Sequence, residues 1–144
     1  VNPDTIFSLC NMIAVAGWLL LLASPFAPKL ADVVGGLIIP GLLAVAYSGL
    51  VLAFWFSAEG GYDSLDNVAA LFRTRELLLA GWLHYLAFDL FVGAWIVRAA
   101  RARSMPFLLV APCLVLTFLF GPAGLLAFVA LRAAMRPSAA AATA

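Results

Sequence analysis

Leu77-Leu78-Leu79-Ala80-Gly81-Trp82-Leu83-His84-Tyr85-Leu86-Ala87-Phe88-Asp89-Leu90-Phe91 is the stretch that decides how this chain is read. The apolar run continues to Val97, enough to cross a bilayer, for which about 20 residues suffice. Within it stand one imidazole, His84, and one carboxyl, Asp89. An ionisable group near the middle of a span costs about 2.5–3.5 kcal/mol on insertion scales, so it normally faces a partner, a cavity or a reaction. Chemistry is concentrated here in surroundings hostile to it.

The rest of the chain agrees with a membrane setting. Of 144 residues, 66% are hydrophobic and 10% charged, against about 45–50% and 25% in a soluble domain. The net charge is +1, and the eight Lys and Arg side chains are scattered at the ends of apolar runs. With no basic face, a nucleic-acid partner is excluded. Cys10 and Cys113 fall inside apolar runs and read as small core hydrophobes, with no spacing that marks a disulfide framework or a metal site. Asp4 precedes the first apolar run and no Lys or Arg does. A secretory signal opens on a positive region, so this run is expected to stay as the first span.

Four apolar runs separate, at about 6–23, 33–56, 77–97 and 105–131. Backbone polar groups in lipid need internal partners, so each is expected to be a helix, and the fold class is an all-α, integral membrane four-helix bundle in one domain, 1–136. The tail 137–144 is Ala-rich, of low complexity, and expected to be disordered when isolated. Between the second and third runs, Gly60-Gly61 breaks the helix. Ser64 is placed to cap a short amphipathic helix whose Leu65, Val68, Leu71 and Phe72 share a face, suiting the membrane interface.

Orientation is nearly undetermined. Lys29, Arg98, Arg101 and Arg103 fall on one side of a four-span bundle, Arg73, Arg75, Arg132 and Arg136 on the other. That is a tie under the positive-inside rule, and the compact arginine triplet points to its own loop as cytoplasmic, with both ends of the bundle outside. Pro40, Pro112 and Pro122 each remove a backbone donor inside a run. Gly121-Pro122-Ala123-Gly124 is expected to bend or open the fourth helix, and Gly49 with Ala53 to allow close helix approach.

At about 1.5 Å of rise per residue, Asp89 lies about 18 Å deep, with Asn11, Tyr47, His84 and Thr117 at about 7, 13, 10 and 21 Å from the same surface. Asn11, Tyr47, His84, Tyr85, Asp89 and Thr117 could therefore line one pocket, with Trp82 beside them. At about 100° per residue His84 and Asp89 are about 140° apart, and they meet only if a π-bulge intervenes. Otherwise each is satisfied by a different neighbouring helix, the arrangement preferred here. Burial favours the uncharged form of both groups, giving Asp89 a proton to lose and His84 room to take one. Alternatively, both simply bridge helices. One histidine excludes a membrane di-iron centre. No phosphate-binding glycine loop or Ser/His/Asp constellation is present, and neither a cofactor nor a metal is called for.

Trp82-Leu83-His84, Asp89-Leu90-Phe91 and Phe120-Gly121-Pro122-Ala123-Gly124 together resemble the abscisic-acid-deficient-four-like, or neoxanthin-synthase-like, family of membrane proteins. The resemblance implies a small helical protein of carotenoid metabolism, multi-pass in a bacterial inner or photosynthetic membrane. Its plant members are associated with converting the epoxy-xanthophyll violaxanthin into allenic neoxanthin. On that analogy the chain is an epoxy-carotenoid isomerase with His84 and Asp89 as catalytic base and acid. Trp82, Tyr85, Tyr47, Asn11 and Thr117 would contact a polyene that arrives laterally from membrane lipid. The alternative is a non-catalytic pigment-binding or structural subunit of a larger photosynthetic or respiratory complex, or a homo-oligomer.

Overall fold

The computed structural model describes residues 2–135, and every regular element among them is helical. We number them α1 (Pro3–Leu22), α2 (Pro28–Ser57), α3 (Leu65–Leu71), α4 (Arg75–Arg101), α5 (Phe107–Phe120) and α6 (Pro122–Ala134). Helices α1, α2 and α4 are long and apolar enough to cross a membrane. The tail 137–144 and Arg136 lie outside the described residues.

Local chemistry sets the boundaries. The Asn2 side chain accepts the Asp4 N–H at 3.0 Å and Pro3 opens α1, the geometry of an N-cap followed by proline. Ser64 caps α3 as its position implied, accepting the Asn67 N–H at 3.2 Å. The Asn67 amide donates in turn to Asp63 at 2.8 Å and holds that carboxyl below its ordinary range. Of the apolar face expected on α3, Leu71 is buried and Leu65 is exposed.

Helix α4 is the hub. Its Leu83, Leu90 and Ile96 are fully buried, while Leu19, Leu37, Val45 and Leu52 on α1 and α2 remain exposed, as suits helices facing lipid tails. Helix α1 runs parallel to α4, with Asp4 at Arg75 and Asn11 at Trp82. Helix α2 runs antiparallel, with Asp32 at Arg101 and Tyr47 at His84. A Cβ on Gly36 would come within 2.9 Å of the Ala94 Cβ, so the α2–α4 approach depends on the missing side chain. Gly49 does not serve this purpose: a Cβ there would meet nothing within 4 Å. The expected Gly49/Ala53 contact is therefore absent, because that face of α2 points away from α4.

Pro40 is accommodated without ending the helix. It has no N–H for the Gly36 carbonyl, and the preceding segment Ala31–Ile38 is π-helical, with the Ile39 N–H donating to Val34 O. The wider turn takes the pyrrolidine ring. The π-helical segment thus lies in α2, whereas α4 is regular through His84 and Asp89.

The expected fourth span, 105–131, is not one helix. It breaks at Gly121, whose φ of 23° is a conformation that suits glycine, and Pro122 opens the next helix. The chain then doubles back. A Cβ on Gly124 would lie 2.2 Å from the Thr117 N and 2.5 Å from its Cα, whereas residues seven apart in a straight helix are separated by about 10 Å. Helix α5 descends along α4 from Met105, whose N–H donates to Ala100 O, to Phe118 and Leu119, whose carbonyls meet Tyr85. Helix α6 returns from Gly121, beside Asp89, to Phe128, whose ring meets Trp95 edge-on at 5.6 Å.

Candidate functional site

Helix α4 presents its polar side chains to three different neighbours, so the residues expected around one pocket are divided among three places. Trp82 faces α1. Its indole N–H donates to Asn11 Oδ1 at 3.2 Å, the Asn11 amide donates to Phe7 O at 2.7 Å, and the Phe7 and Trp82 rings lie 5.8 Å apart. Phe7 and Trp82, though not Asn11, wall a groove of about 680 Å³ with Pro3, Asp4, Phe72 and Arg75. An exposed Arg75–Asp4 ion pair stands at its mouth.

His84 faces α2. Its ring meets Tyr47 edge-on at 5.6 Å and stacks on Phe88 at 4.6 Å. With Trp55, Tyr62 and Phe72, His84 and Tyr47 line a second cavity of about 250 Å³. The imidazole is exposed within this recess rather than sealed in the core. Phe72 and Gly81 belong to both cavities, and a Cβ on Gly81 would lie 3.0 Å from the Phe72 ring. The Phe72 ring is thus the partition between the groove at Trp82 and the recess at His84.

Tyr85 and Asp89 face the α5–α6 break. The Tyr85 O–H is shared between Phe118 O at 3.1 Å and Leu119 O at 3.2 Å, two carbonyls that the end of α5 leaves without helical partners. Asp89 is buried against Gly121, where a Cβ would meet Oδ1 at 2.3 Å. Asp89 Oδ2 is buried without a hydrogen-bond partner. Thr117 is also fully buried, its O–H donating to Cys113 O at 2.7 Å. Tyr85, Asp89 and Thr117 therefore belong to helix packing at the hairpin tip, and none of them lines the groove or the recess.

His84 and Asp89 consequently do not share a chamber, as their separation on a regular helix requires. Helical spacing had already separated them. What sequence reasoning missed was Phe72 as a partition, Gly81 as the surface it rests on, and the Asp4–Arg75 pair. Opposite charges at the same end of two parallel spans signal that pair. The smallness of Gly81 beside Trp82 is the trace of the partition. Among the described residues, no group of three His, Cys, Asp or Glu side chains could hold a metal ion, and Cys10 and Cys113 are buried free thiols.

Three crossing-length apolar helices, α1 and α2 packed on α4, with a groove and a recess at one end, define a small helical membrane protein. The profile of the ABA DEFICIENT 4-like family matches residues 5–128. The chain belongs to that family, and the membership supports a role in carotenoid- or xanthophyll-related membrane function. No curated protein and no solved structure matches it.

Proposed function

We propose that this chain is a multi-pass membrane protein that takes up a xanthophyll from the bilayer and isomerises it, using His84 and Tyr47 rather than His84 and Asp89. The observation that carries this reading is the recess in which the imidazole and phenol rings meet edge-on with centroids 5.6 Å apart, next to an aromatic-walled groove. Asp89 is too enclosed to reach a ligand there.

The groove suits an elongated apolar molecule, with Trp82 and Phe7 offering ring faces and the Asp4–Arg75 pair offering polar contacts to a terminal hydroxyl, while Asn11 holds the Trp82 indole. With the Phe72 ring displaced so that groove and recess join, an epoxide seated in the recess would take the Tyr47 proton on oxygen as its C–O bond opens. His84 would remove a proton from carbon as the new double bond forms. One proton enters and one leaves, so the product is an isomer, and proton return from His84 to Tyr47 resets the site. Neither a redox partner nor a metal is required by that balance.

Expression in a host that makes epoxy-xanthophylls, followed by pigment profiling, tests the proposal. His84→Gln and Tyr47→Phe should abolish conversion, by about 100-fold or more for each proton-handling group, while the protein remains in the membrane. Asp89→Asn should retain most of the conversion. Unchanged pigments with well-inserted wild-type chain, or loss on Asp89→Asn alone, would overturn it. Native mass measurement that found the chain only within a larger pigment complex would favour the subunit reading instead.

A further inference from the structure

We propose that the chain crosses the membrane three times, through α1, α2 and α4, and that α5–α6 is a re-entrant hairpin entering and leaving on the cytoplasmic face. The mouth of the Asp4–Arg75 groove then opens on the opposite face. This topology rests on the membrane-embedded reading above.

Direction is the first support. Helix α5 runs antiparallel to α4 and α6 runs parallel to it, since Gly121 meets Asp89 and Phe128 meets Trp95. Both open ends of the hairpin therefore lie at the Arg101 end of α4. Length is the second. Helices of 14 and 13 residues extend about 21 and 20 Å, short of the hydrocarbon thickness of about 30 Å. Asp89 stands about 21 Å from the Arg75 end of α4 and about 18 Å from its Arg101 end, which sets the tip near the midplane.

Backbone accounting is the third. Irregular backbone survives at membrane depth only where protein covers it and its polar groups are paired. Gly121 is buried. Thr117 O accepts the Gly121 N–H at 2.8 Å, and Phe118 O and Leu119 O share the Tyr85 hydroxyl. At the tip Gly121 is buried and these backbone groups are paired, while the flanking Phe118, Leu119, Phe120 and Pro122 side chains face outward.

This path resolves the charge tie. Arg132 moves to the side of Lys29, Arg98, Arg101 and Arg103, with its guanidinium 5.5 Å from the Trp95 ring centroid. Among the described residues, that gives five basic side chains on one face against Arg73 and Arg75 on the other. The positive-inside rule makes the five-charge face cytoplasmic. The sequence expectation that both ends of the bundle lie outside then holds for the Asp4 end only.

Single cysteines at Glu59, Ala102 and Met135, each in a Cys10→Ala/Cys113→Ala background, test this with a membrane-impermeant maleimide. Ala102→Cys and Met135→Cys should react in inverted vesicles and not in spheroplasts, and Glu59→Cys the reverse. Met135→Cys reacting on the same face as Glu59→Cys would establish a straight fourth crossing and overturn the hairpin. Ala102→Cys and Met135→Cys both reacting in spheroplasts would overturn the orientation. Should the cysteine-free background not accumulate, fusions at the C-terminal end of the wild-type chain decide: green fluorescence supports the topology, alkaline phosphatase activity overturns it. Release of the wild-type chain by alkaline carbonate would instead sink the membrane reading itself, and the topology with it.

Discussion

Gly121 is the residue on which the shape of the C-terminal third depends. Its φ of 23° disfavours a side chain, and an added Cβ would press on Asp89 from 2.3 Å to Oδ1 and 2.7 Å to Cγ. Backbone strain of this kind costs about 1–3 kcal/mol per residue. Gly121→Ala should therefore destabilise the chain by at least that much in detergent unfolding. The two contributions can be separated. In an Asp89→Ala background the carboxyl is gone and the strain remains, so the Gly121→Ala penalty should fall without vanishing, and the pair should be non-additive in a double-mutant cycle. Additive penalties would mean that the carboxyl and the turn do not touch. Gly124→Ala should be worse than an ordinary helical Gly→Ala change, because the Thr117 backbone N at 2.2 Å cannot rotate away.

At the scale of elements, α2 shows how two interactions of different kind join the same pair of helices. Asp32 takes both guanidinium nitrogens of Arg101, at 2.7 and 2.8 Å, but the pair is 30% and 43% exposed, so solvent screens it. Its removal by Asp32→Asn should cost no more than about 1 kcal/mol. Gly36 is buried in the contact between the same helices, and a side chain there meets the Ala94 Cβ at 2.9 Å and Arg98 Nη1 at 2.8 Å. Gly36→Leu overpacks that contact and should cost about 1–3 kcal/mol or more. Unfolding of the two variants in the same detergent checks the order, and a larger loss for Asp32→Asn would mean that the ion pair governs the α2–α4 approach. Composition and length carry the signal for elements: of the four spans the sequence implies, the first three are crossing-length helices, and the Ser64 cap and an interruption at Gly121 could be read in one dimension. The fourth span, however, was expected to bend or open rather than end there. The direction of the chain after Gly121 could not be read in this way. A glycine–proline pair interrupts a helix equally well whether the next helix continues or returns, and only the packing of Gly124 on Thr117 and Phe128 on Trp95 decides between them. For the same reason depth alone placed Asp89 and Thr117 beside His84. Depth is one coordinate, and the missing one was the angle around α4 at which each neighbour packs.

Across the whole molecule, the apolar exterior gives the bilayer no handle by which to tell one face from the other, so orientation falls to the charges at the two ends. On the proposed topology, five basic side chains against two among the described residues is a modest bias of three, carried mainly by Arg98, Arg101 and Arg103 in one short connection. A modest bias can be cancelled. The positive-inside rule counts Lys and Arg in short loops near span ends and gives acids little weight, so replacing exposed Ser57, Glu59 and Tyr62 of the α2–α3 connection with lysine brings that face to five. None of these positions pairs α1, α2 and α4 to one another, so the bundle itself should survive. The expected outcome is a mixed population, with maleimide labelling at Ala102→Cys divided between spheroplasts and inverted vesicles where the parent chain reacts in one alone. The Met135→Cys labelling must divide in the same proportion, because a hairpin carries both positions to whichever face α4 ends on. A chain that kept its parent orientation once the described residues carry five basic charges on each face would show that something other than their loop charge sets the insertion.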